Sequence, residues 1–358
     1  MKNILFPAMC FFVIGIAGCS KSSLPGTTTI VSSALEGQVL TDFSNNLVNP
    51  NYQDIQARAF VMNVAIDSLV ANTNTANLVA AQTAWKNTRA AWESCEGFLF
   101  GPVEDDSYDP DMDDWPVNKV DLDSLLASSN PLTVSDITPL QTTLKGFHAI
   151  EYIIFGVGST RQASQITARD KVYLTSLAQS LYNTTTDLRN SWDPAAGNFT
   201  AQVINAGAGG TYFASRQAVF LALVGSMSDI CNEVANEKMQ TPFAAQDSTL
   251  DESSFSHNSI NDFTNNITGV QHAYFSEYKG AAGHSLHELV AAKNASLDAT
   301  IQSQITTAIG SFKTITVSYE QAIYTQKTQV KAVQAAINTL QTTIEEQLVP
   351  FIKQNIKD

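Results

Sequence analysis

The stretch that decides the fold is LDATIQSQITTAI, residues 297–309, close to the C-terminus. Four apolar residues occupy every fourth position in it, namely Leu297, Ile301, Ile305 and Ile309. Side chains at this spacing lie on one face of an α-helix, so the pattern predicts an amphipathic helix whose apolar face is buried. Further apolar positions continue the pattern towards the C-terminus at Ile337, Leu340, Ile344 and Leu348.

The same three- and four-residue spacing dominates the chain from Thr27 onwards, and strand-like alternation is almost absent. Few Asn-Gly or Asp-Gly turns interrupt the apolar runs. We therefore predict an all-α protein, a two-lobed helical bundle for which an old duplication is one origin. The expected helices are 31–48, 51–71, 75–97, 135–155, 164–191, 211–238, 257–279 and 294–348, the last broken near Gly310.

The N-terminus has the pattern of an exported lipoprotein. An apolar stretch from Ile4 to Ala17 follows Lys2, and small residues lie directly before Cys19. We interpret residues 1–18 as a lipoprotein signal peptide and Cys19 as the lipidated first residue of the mature protein. The alternative is an ordinary secretory signal that is cleaved nearby. The expected location is the cell envelope, where a lipid anchor holds the protein in the outer membrane.

The rest of the chain is long enough for more than one hydrophobic core. We expect a tether at 19–30, an N-terminal helical lobe at 31–205 and a C-terminal helical lobe at 206–358. The boundary is set at the cluster of glycines that follows Asn205. No apolar run after the signal peptide is expected to be a transmembrane helix.

Charge and cysteine content narrow the functional classes. The chain has 20 Lys and Arg against 34 Asp and Glu, a formal net charge of −14, which excludes nucleic acid as an obvious partner. A cation or a small ligand is the better expectation. Only Cys95 and Cys231 remain after export and lipidation, too few for a disulfide framework, so we expect two buried thiols.

The most informative motif is Gly146-Phe147-His148-Ala149-Ile150-Glu151. His148 and Glu151 are three residues apart, so they share a face of a helix that is otherwise almost wholly apolar. Such a pair is either a satisfied core histidine beside a carboxylate or part of a ligand site, and Gly146 permits close approach of a neighbouring element. The His-Glu-x-x-His pattern of zinc peptidases is absent, so further metal ligands must come from other helices.

A second constellation follows Trp85. Arg89, Glu93 and Glu96 occupy positions i, i+4 and i+7 of a helix that is rich in aromatic residues. This stripe is either a surface ion-pair ladder or a semi-buried group that offers hard oxygen ligands. Glu93 is the first choice for the extra carboxylate, while Glu96 is nearer the helix end.

A third polar group lies between Pro242 and Asn266 and includes Glu252, Ser256 and Asp262. Ser256 and its neighbours could serve only as helix caps, but Asp262 and Asn266 share a helix face. Burying each ionisable group separately would cost several kcal/mol. We therefore predict that these residues, together with the two groups above, converge on one pocket between helices.

Two other acidic or histidine clusters are given no role. Asp109, Asp111 and Asp113 suggest a calcium loop, but the required glycine and the late acidic ligand are missing, so we interpret 104–114 as a solvated acidic loop. His284 and His287 follow a glycine-rich segment and are interpreted as an exposed helix start.

Together these blocks resemble the imelysin peptidase family, which includes iron-regulated lipoproteins and periplasmic proteins of Gram-negative bacteria. The family hallmark Gly-x-His-x-x-Glu corresponds to Gly146–Glu151, and the segments 85–102, Trp115-Pro116 and 252–266 look like further family blocks. The resemblance implies a two-lobed helical fold with the motif near the lobe interface, a link to iron acquisition, and a peptidase label less secure than the fold.

Three functions follow as expectations. The first is an envelope protein that binds a divalent metal, iron or zinc, or a metal-bearing ligand during iron uptake, with envelope transport components as partners. In it His148, Glu151 and Glu93 are metal ligands, and the pocket is completed by Arg89, Glu96, Ser256 and Asp262. The second is a metallopeptidase, in which Glu151 is the catalytic residue. The third is a helical scaffold lipoprotein without a ligand.

Overall fold

The computed structural model describes residues 27–356, with side chains from residue 33, and these residues contain helices and no β-strand. The predicted signal peptide and Cys19 lie outside the described residues. The eighteen α-helices of this part are α1 (Thr27–Asp42), α2 (Asn49–Ala71), α3 (Thr75–Glu93), α4 (Pro102–Asp105), α5 (Tyr108–Asp113), α6 (Lys119–Ala127), α7 (Val134–Ile137), α8 (Gly146–Phe155), α9 (Ala168–Trp192), α10 (Phe199–Ile204), α11 (Arg216–Asn232), α12 (Gln240–Ala245), α13 (Ser259–Phe275), α14 (Leu286–Lys293), α15 (Ala295–Ser311), α16 (Tyr319–Thr325), α17 (Lys327–Thr343) and α18 (Val349–Asn355).

Short 3-10 turns and wider π-helical segments connect several of these helices. The π-helical segments are Phe43–Val48, Glu233–Lys238 and Ile344–Leu348. The 3-10 turns are Glu96–Phe98, Thr142–Leu144, Val157–Ser159, Ala163–Gln165, Ser248–Leu250 and Phe312–Thr314.

The prediction of an all-α fold is confirmed, whereas several predicted boundaries are wrong. The helices predicted at 31–48 and 51–71 form one continuous helical rod through the first π segment. The helix predicted at 135–155 is two helices, whereas the predicted break near Gly310 is confirmed, at the 3-10 turn that begins at Phe312. These differences arise because turn geometry and tertiary packing override local periodicity.

Each π segment lies just before a proline inside a continuing helix. Pro50, Pro242 and Pro350 each have the residue four positions earlier within a π segment. Proline has no N–H to donate and its ring collides with the carbonyl group four residues before it. A π turn shifts the hydrogen-bond register by one residue, which lets the helix continue past the proline. The middle segment, Glu233–Lys238, carries a lysine that is important for the site described below.

The helices pack as two groups that meet at the centre of the molecule. One group consists of α2, α3, α8 and α9, and the other of α11, α13, α15 and α17. Across the junction, α13 crosses α3 and the 3-10 turn Glu96–Phe98 so closely that a Cβ atom on Gly97 would lie 2.4 Å from the backbone of Gly269. The proposed division into lobes at 205/206 remains a prediction.

The continuous helical stretch Arg216–Ala245 is long and apolar enough to cross a membrane by length and composition alone, and most of its apolar window is buried inside the protein. Buried side chains such as Phe220, Leu223 and Val224 belong to the hydrophobic core. This packing accounts for its apolar character. Cys95 and Cys231 are both free and buried, as predicted.

Candidate metal centre

Glycine 146 allows the site to form. Its φ of +72° is a backbone angle that residues other than glycine rarely adopt. A Cβ atom at this position would lie 2.1 Å from the backbone oxygen of Met112. The end of α5 therefore touches the start of α8, as the sequence predicted for a neighbouring element. Because Met112 is held there, the next residue, Asp113, turns its carboxylate towards His148.

His148 is fixed by a carboxylate on its own helix. The His148 ring nitrogen Nδ1 lies 3.0 Å from Glu151 Oε2, and the other oxygen, Oε1, accepts a hydrogen bond of 2.7 Å from the backbone N–H of Ser256. Both oxygens of Glu151 are thus engaged, and the imidazole is oriented with Nε2 directed away from α8's own carboxylate. Ser256 contributes its backbone rather than its hydroxyl, and it does not cap α13, whose first turn follows Asn258.

The nitrogen Nε2 of His148 is buried and has no hydrogen-bond partner, although Asp113 Oδ1 lies 3.1 Å away. When Nδ1 donates its proton to Glu151, Nε2 carries only a lone pair. That lone pair then faces the carboxylate oxygen of Asp113, and two acceptors at this distance repel each other. The arrangement therefore requires a proton or a metal ion between them.

Arg89 is the first of two buried cations that organise the carboxylates. Its guanidinium forms short contacts with Glu93 and Asp113, and it lies 3.1 Å from Glu252 Oε1. Asp262 Oδ1 is 3.9 Å from its Nε atom. Trp92 fixes Asp113 from the other side, since its indole N–H donates a 2.6 Å hydrogen bond to Oδ2. A planar guanidinium with several fixed donors suits this crowded position.

Lys238, at the end of the second π segment, is the other buried cation. Its ammonium nitrogen lies 3.0 Å from Glu252 Oε1, 3.1 Å from Glu96 Oε2 and 3.5 Å from Glu233 Oε1. It also lies 5.1 Å from the centre of the Trp115 ring, within range of a cation–π contact. Although burial alone would lower the pKa of Lys238, these carboxylates, Glu252 foremost, raise it well above its usual value. Lys238 therefore stays charged.

Helix α13 and the segment before it supply neutral donors to the acidic groups. Asn266 donates from its amide nitrogen to Glu93 Oε2 at 2.6 Å and to Glu96 Oε2 at 2.7 Å. Asp262, one turn earlier, accepts 2.6 Å and 2.7 Å hydrogen bonds from Ser253 Oγ and Asn258 Nδ2. The shared helix face predicted for Asp262 and Asn266 is present.

The cluster carries more negative than positive charge. Five buried carboxylates contact the two permanent cations, an excess of three negative charges if all are ionised. These carboxylates belong to Glu93, Glu96, Asp113, Glu252 and Asp262. A surplus of this size inside a protein must be neutralised by bound protons or by a bound cation.

The pKa shifts of these carboxyl groups differ in direction. Burial raises the pKa of Asp262 to about 7, against the opposing effect of Arg89. Burial and the neighbouring Glu93 raise the pKa of Glu96 well above its usual range. Burial also acts on Glu252, but Lys238 and Arg89 outweigh it and lower its pKa, so Glu252 stays ionised.

Two overlapping groups of side chains have the composition and spacing to hold a metal ion. In the first group, Asp113, His148 and Glu252 each offer one ligand atom, all within 4.8 Å of one another. In the second, Glu93 and Glu96 join Asp113 at the same spacing. The buried Glu252 Oε2, like His148 Nε2, lacks a hydrogen-bond partner, so the first group has two uncommitted donor atoms. The donors present therefore fit a metal ion.

The structure brings together every pocket residue that the sequence proposed, from all three of the stretches that carry them. It also corrects the interpretation of 104–114 as a solvated loop, because the segment contains helices α4 and α5, and Asp113 is buried against Arg89 and His148. Glu151 belongs to neither metal-binding group. His284 is half exposed, is paired with Glu288, and belongs to neither candidate group.

Besides Asp113, which was assigned to a solvated loop, sequence reasoning missed Lys238. It is a single lysine near the end of a long apolar helix, beside the exposed residues Asn236 and Glu237. Nothing in that local pattern distinguishes it from a solvated lysine. A usable signal was the excess of acidic residues assigned to the pocket, which one arginine could not neutralise.

The fold and the cluster together define the class: a helical-bundle protein with a buried ionic cluster between facing helices. The sequence model of the peptidase M75 family, imelysin, matches residues 48–347. The chain therefore belongs to the imelysin family, which confirms the resemblance seen in the sequence.

Individual relatives agree with this membership. The chain is 27% identical over 345 residues to the iron-regulated protein A of Synechococcus elongatus, covering 95% of this chain and 93% of that protein. Its fold is similar to that of a protein described as a putative iron-regulated protein A precursor from Parabacteroides distasonis, with a TM-score of 0.81 and 23% identity. The match covers 90% of this chain and 95% of that chain. An imelysin-like protein from Psychrobacter arcticum also has a similar fold, with a TM-score of 0.74 and 14% identity. The match covers 90% of this chain and 96% of that chain.

Proposed function

We propose that this protein binds a metal ion as cargo in iron uptake, at the end of the cluster formed by Asp113, His148 and Glu252. The observation that carries the proposal is the buried Nε2 atom of His148, which has no hydrogen-bond partner and faces Asp113 Oδ1 at 3.1 Å. The names of the relatives, iron-regulated proteins from two organisms, support iron as the metal. The charge excess of the cluster supports a cation over an anionic or neutral ligand.

In this proposal each residue has a distinct task. His148 and the carboxylates of Asp113 and Glu252 bind the ion directly, a mixed nitrogen and oxygen set that suits iron, manganese or zinc. Glu151 acts as a positioning residue, because it holds Nδ1 of His148 and so presents Nε2 to the metal. Arg89 keeps the carboxylates in place. Glu93, which the sequence proposed as a ligand, belongs to the second group, which shares Asp113 with the first. It is therefore the next carboxylate beside the proposed metal position.

The contacts of Glu151 support binding over peptide hydrolysis. A metallopeptidase needs a carboxylate that is free to take a proton from a metal-bound water. Both oxygens of Glu151 are already hydrogen-bonded, to His148 and to the backbone of Ser256. Incubation of the purified protein with unstructured peptides tests this point. Chelator-sensitive cleavage that is lost in Glu151→Gln would establish the peptidase instead.

Metal binding itself is tested by anaerobic equilibrium dialysis of the purified protein against Fe²⁺, Mn²⁺ or Zn²⁺. We expect a stoichiometric amount of bound metal in the wild type and in His284→Ala, a matched control that removes a surface histidine with its own carboxylate partner. Binding is lost in His148→Ala and in Glu252→Gln, and it weakens about 10- to 100-fold in Glu151→Gln. Equal binding by wild type and His148→Ala would refute the site.

For the ends of the chain, we propose that Cys19 carries the lipid anchor and that the protein is exported to the cell envelope, where transport components of the envelope are its partners. The proposal is supported by the apolar stretch and the small residues before Cys19. Metabolic labelling with a fatty acid tests it, with label expected on the wild type and absent from Cys19→Ser. Equal label on both would contradict it.

A further inference from the structure

A cavity of about 390 Å³ leads from the surface to the base of the cluster. All seven ionisable side chains that line it are carboxylates, and no lysine, arginine or histidine is among the lining residues. We call it the acidic cavity. Its remaining walls are formed by residues such as Leu99, Val103 and Trp115.

Burial of the carboxylates gives the acidic cavity a direction. Glu104 and Asp229 are exposed, Asp109 and Glu233 are half-buried, and Glu96 and Asp113 are buried. The exposed pair therefore marks the opening and the buried pair marks the inner end. Carboxylates therefore line the acidic cavity from its opening to its inner end.

The inner end adjoins the candidate metal centre through Asp113. Asp113, which lines the acidic cavity, has its Oδ1 atom 3.1 Å from His148 Nε2, a buried atom without a hydrogen-bond partner. Glu96, beside it, belongs with Asp113 to the second metal-binding group. Asp113 is thus shared by the acidic cavity and the candidate metal centre, and the Nε2 atom of His148 lies directly behind its carboxylate.

We propose that the acidic cavity is the entrance through which a hydrated divalent cation reaches the site, and that its uniform charge rejects anionic metal chelates. This inference rests on the proposed function and names the form in which the metal arrives. Six waters of a hydrated ion occupy roughly 180 Å³ at about 30 Å³ each, which fits within the cavity. A cleft of one charge sign raises the local concentration of the opposite ion and its on-rate by about 10- to 1,000-fold.

A second cavity of about 200 Å³ offers the alternative route. It reaches Glu252 from the other side, but its lining includes Lys119, Phe255 and His257 and is not uniformly acidic. Electrostatic attraction of a cation is therefore weaker there, and the two routes can be distinguished by mutation.

The test is stopped-flow measurement of Mn²⁺ or Fe²⁺ binding by the whole protein, followed by tryptophan fluorescence, at two salt concentrations. The acidic-cavity variant carries Glu104→Gln, Asp109→Asn and Asp229→Asn. A matched control removes three negative charges from exposed residues that do not line the acidic cavity, namely Asp67→Asn, Asp121→Asn and Asp123→Asn. A third variant, Ser254→Trp, fills the second cavity.

We expect the association rate to fall at least about tenfold in the acidic-cavity variant and to lose its dependence on salt, while the control and Ser254→Trp match the wild type. Ferric citrate, an anionic chelate, is expected to deliver no metal on this timescale. Unchanged association in the acidic-cavity variant, a slowing confined to Ser254→Trp, or rapid delivery from ferric citrate would overturn the inference and leave metal binding intact. Absence of metal binding by the wild type would refute the proposed function itself.

Discussion

Replacing Lys238 by methionine tests whether the buried cluster depends on an internal cation. Its ammonium nitrogen lies 3.0 Å from Glu252 and 3.1 Å from Glu96. At an effective dielectric constant of about 20, each contact is worth roughly 5 kcal/mol, or about 10 kcal/mol together. Removing the lysine also removes its own desolvation cost of several kcal/mol. The remaining destabilisation is limited because one of the unpaired carboxylates can take up a proton. We expect a net loss of about 3 to 5 kcal/mol in the free energy of unfolding.

The assay is urea unfolding followed by circular dichroism at neutral pH in the presence of chelator. Lys353→Met, which removes an exposed lysine, is the control and is expected to change stability by less than about 0.5 kcal/mol. Adding Glu96→Gln to Lys238→Met is expected to recover part of the loss, because one of the abandoned charges is then absent. Should Lys238→Met cost less than about 1 kcal/mol, or the double variant recover nothing, the charge argument is wrong.

Two further predictions address local geometry and pH. In Gly146→Ala, the positive φ is strained and the new Cβ atom would lie 2.1 Å from Met112 O, which forces α5 away from α8. We expect both the melting temperature and the metal affinity to fall. An unchanged metal affinity in the folded fraction would show that this contact does not position Asp113. Because the folded-state pKa of Asp262 is raised from 3.8 to about 7, the metal-free folded protein holds the proton more tightly than the unfolded chain, and stability is expected to fall by about 2 to 3 kcal/mol as pH rises from 5 to 7. Urea unfolding at a series of pH values measures this, and a stability that rises over the same range would contradict the assigned shift.

Helical periodicity was sufficient to predict the fold class, because long amphipathic runs bury one face whatever they pack against. The stripe from Leu297 to Ile309 lies within α15 as expected, with Leu297, Ile301 and Ile305 buried. Helix ends were less predictable. A proline after a regular run normally ends a helix, but at Pro50 the π segment lets the helix continue, and one sequence gives no sign of that register change.

The site was predictable where ionisable residues interrupt apolar helices, as at His148, Glu151 and Arg89. It was not predictable where burial depends on another element. Asp113 lies in a segment of repeated aspartates that resembles a solvated loop, and only the close approach of Met112 to Gly146 carries it into the core. Lys238 is directed inward by a π turn that periodicity does not reveal.

The most direct measurement of the central claim is X-ray absorption spectroscopy of the zinc-loaded protein. We predict a first shell that contains one imidazole nitrogen at about 2.0–2.1 Å and carboxylate oxygens at about 2.0–2.2 Å, with the imidazole scattering lost in His148→Ala and retained in His284→Ala. A first shell made only of oxygen atoms in the wild type, unchanged by His148→Ala, would contradict it.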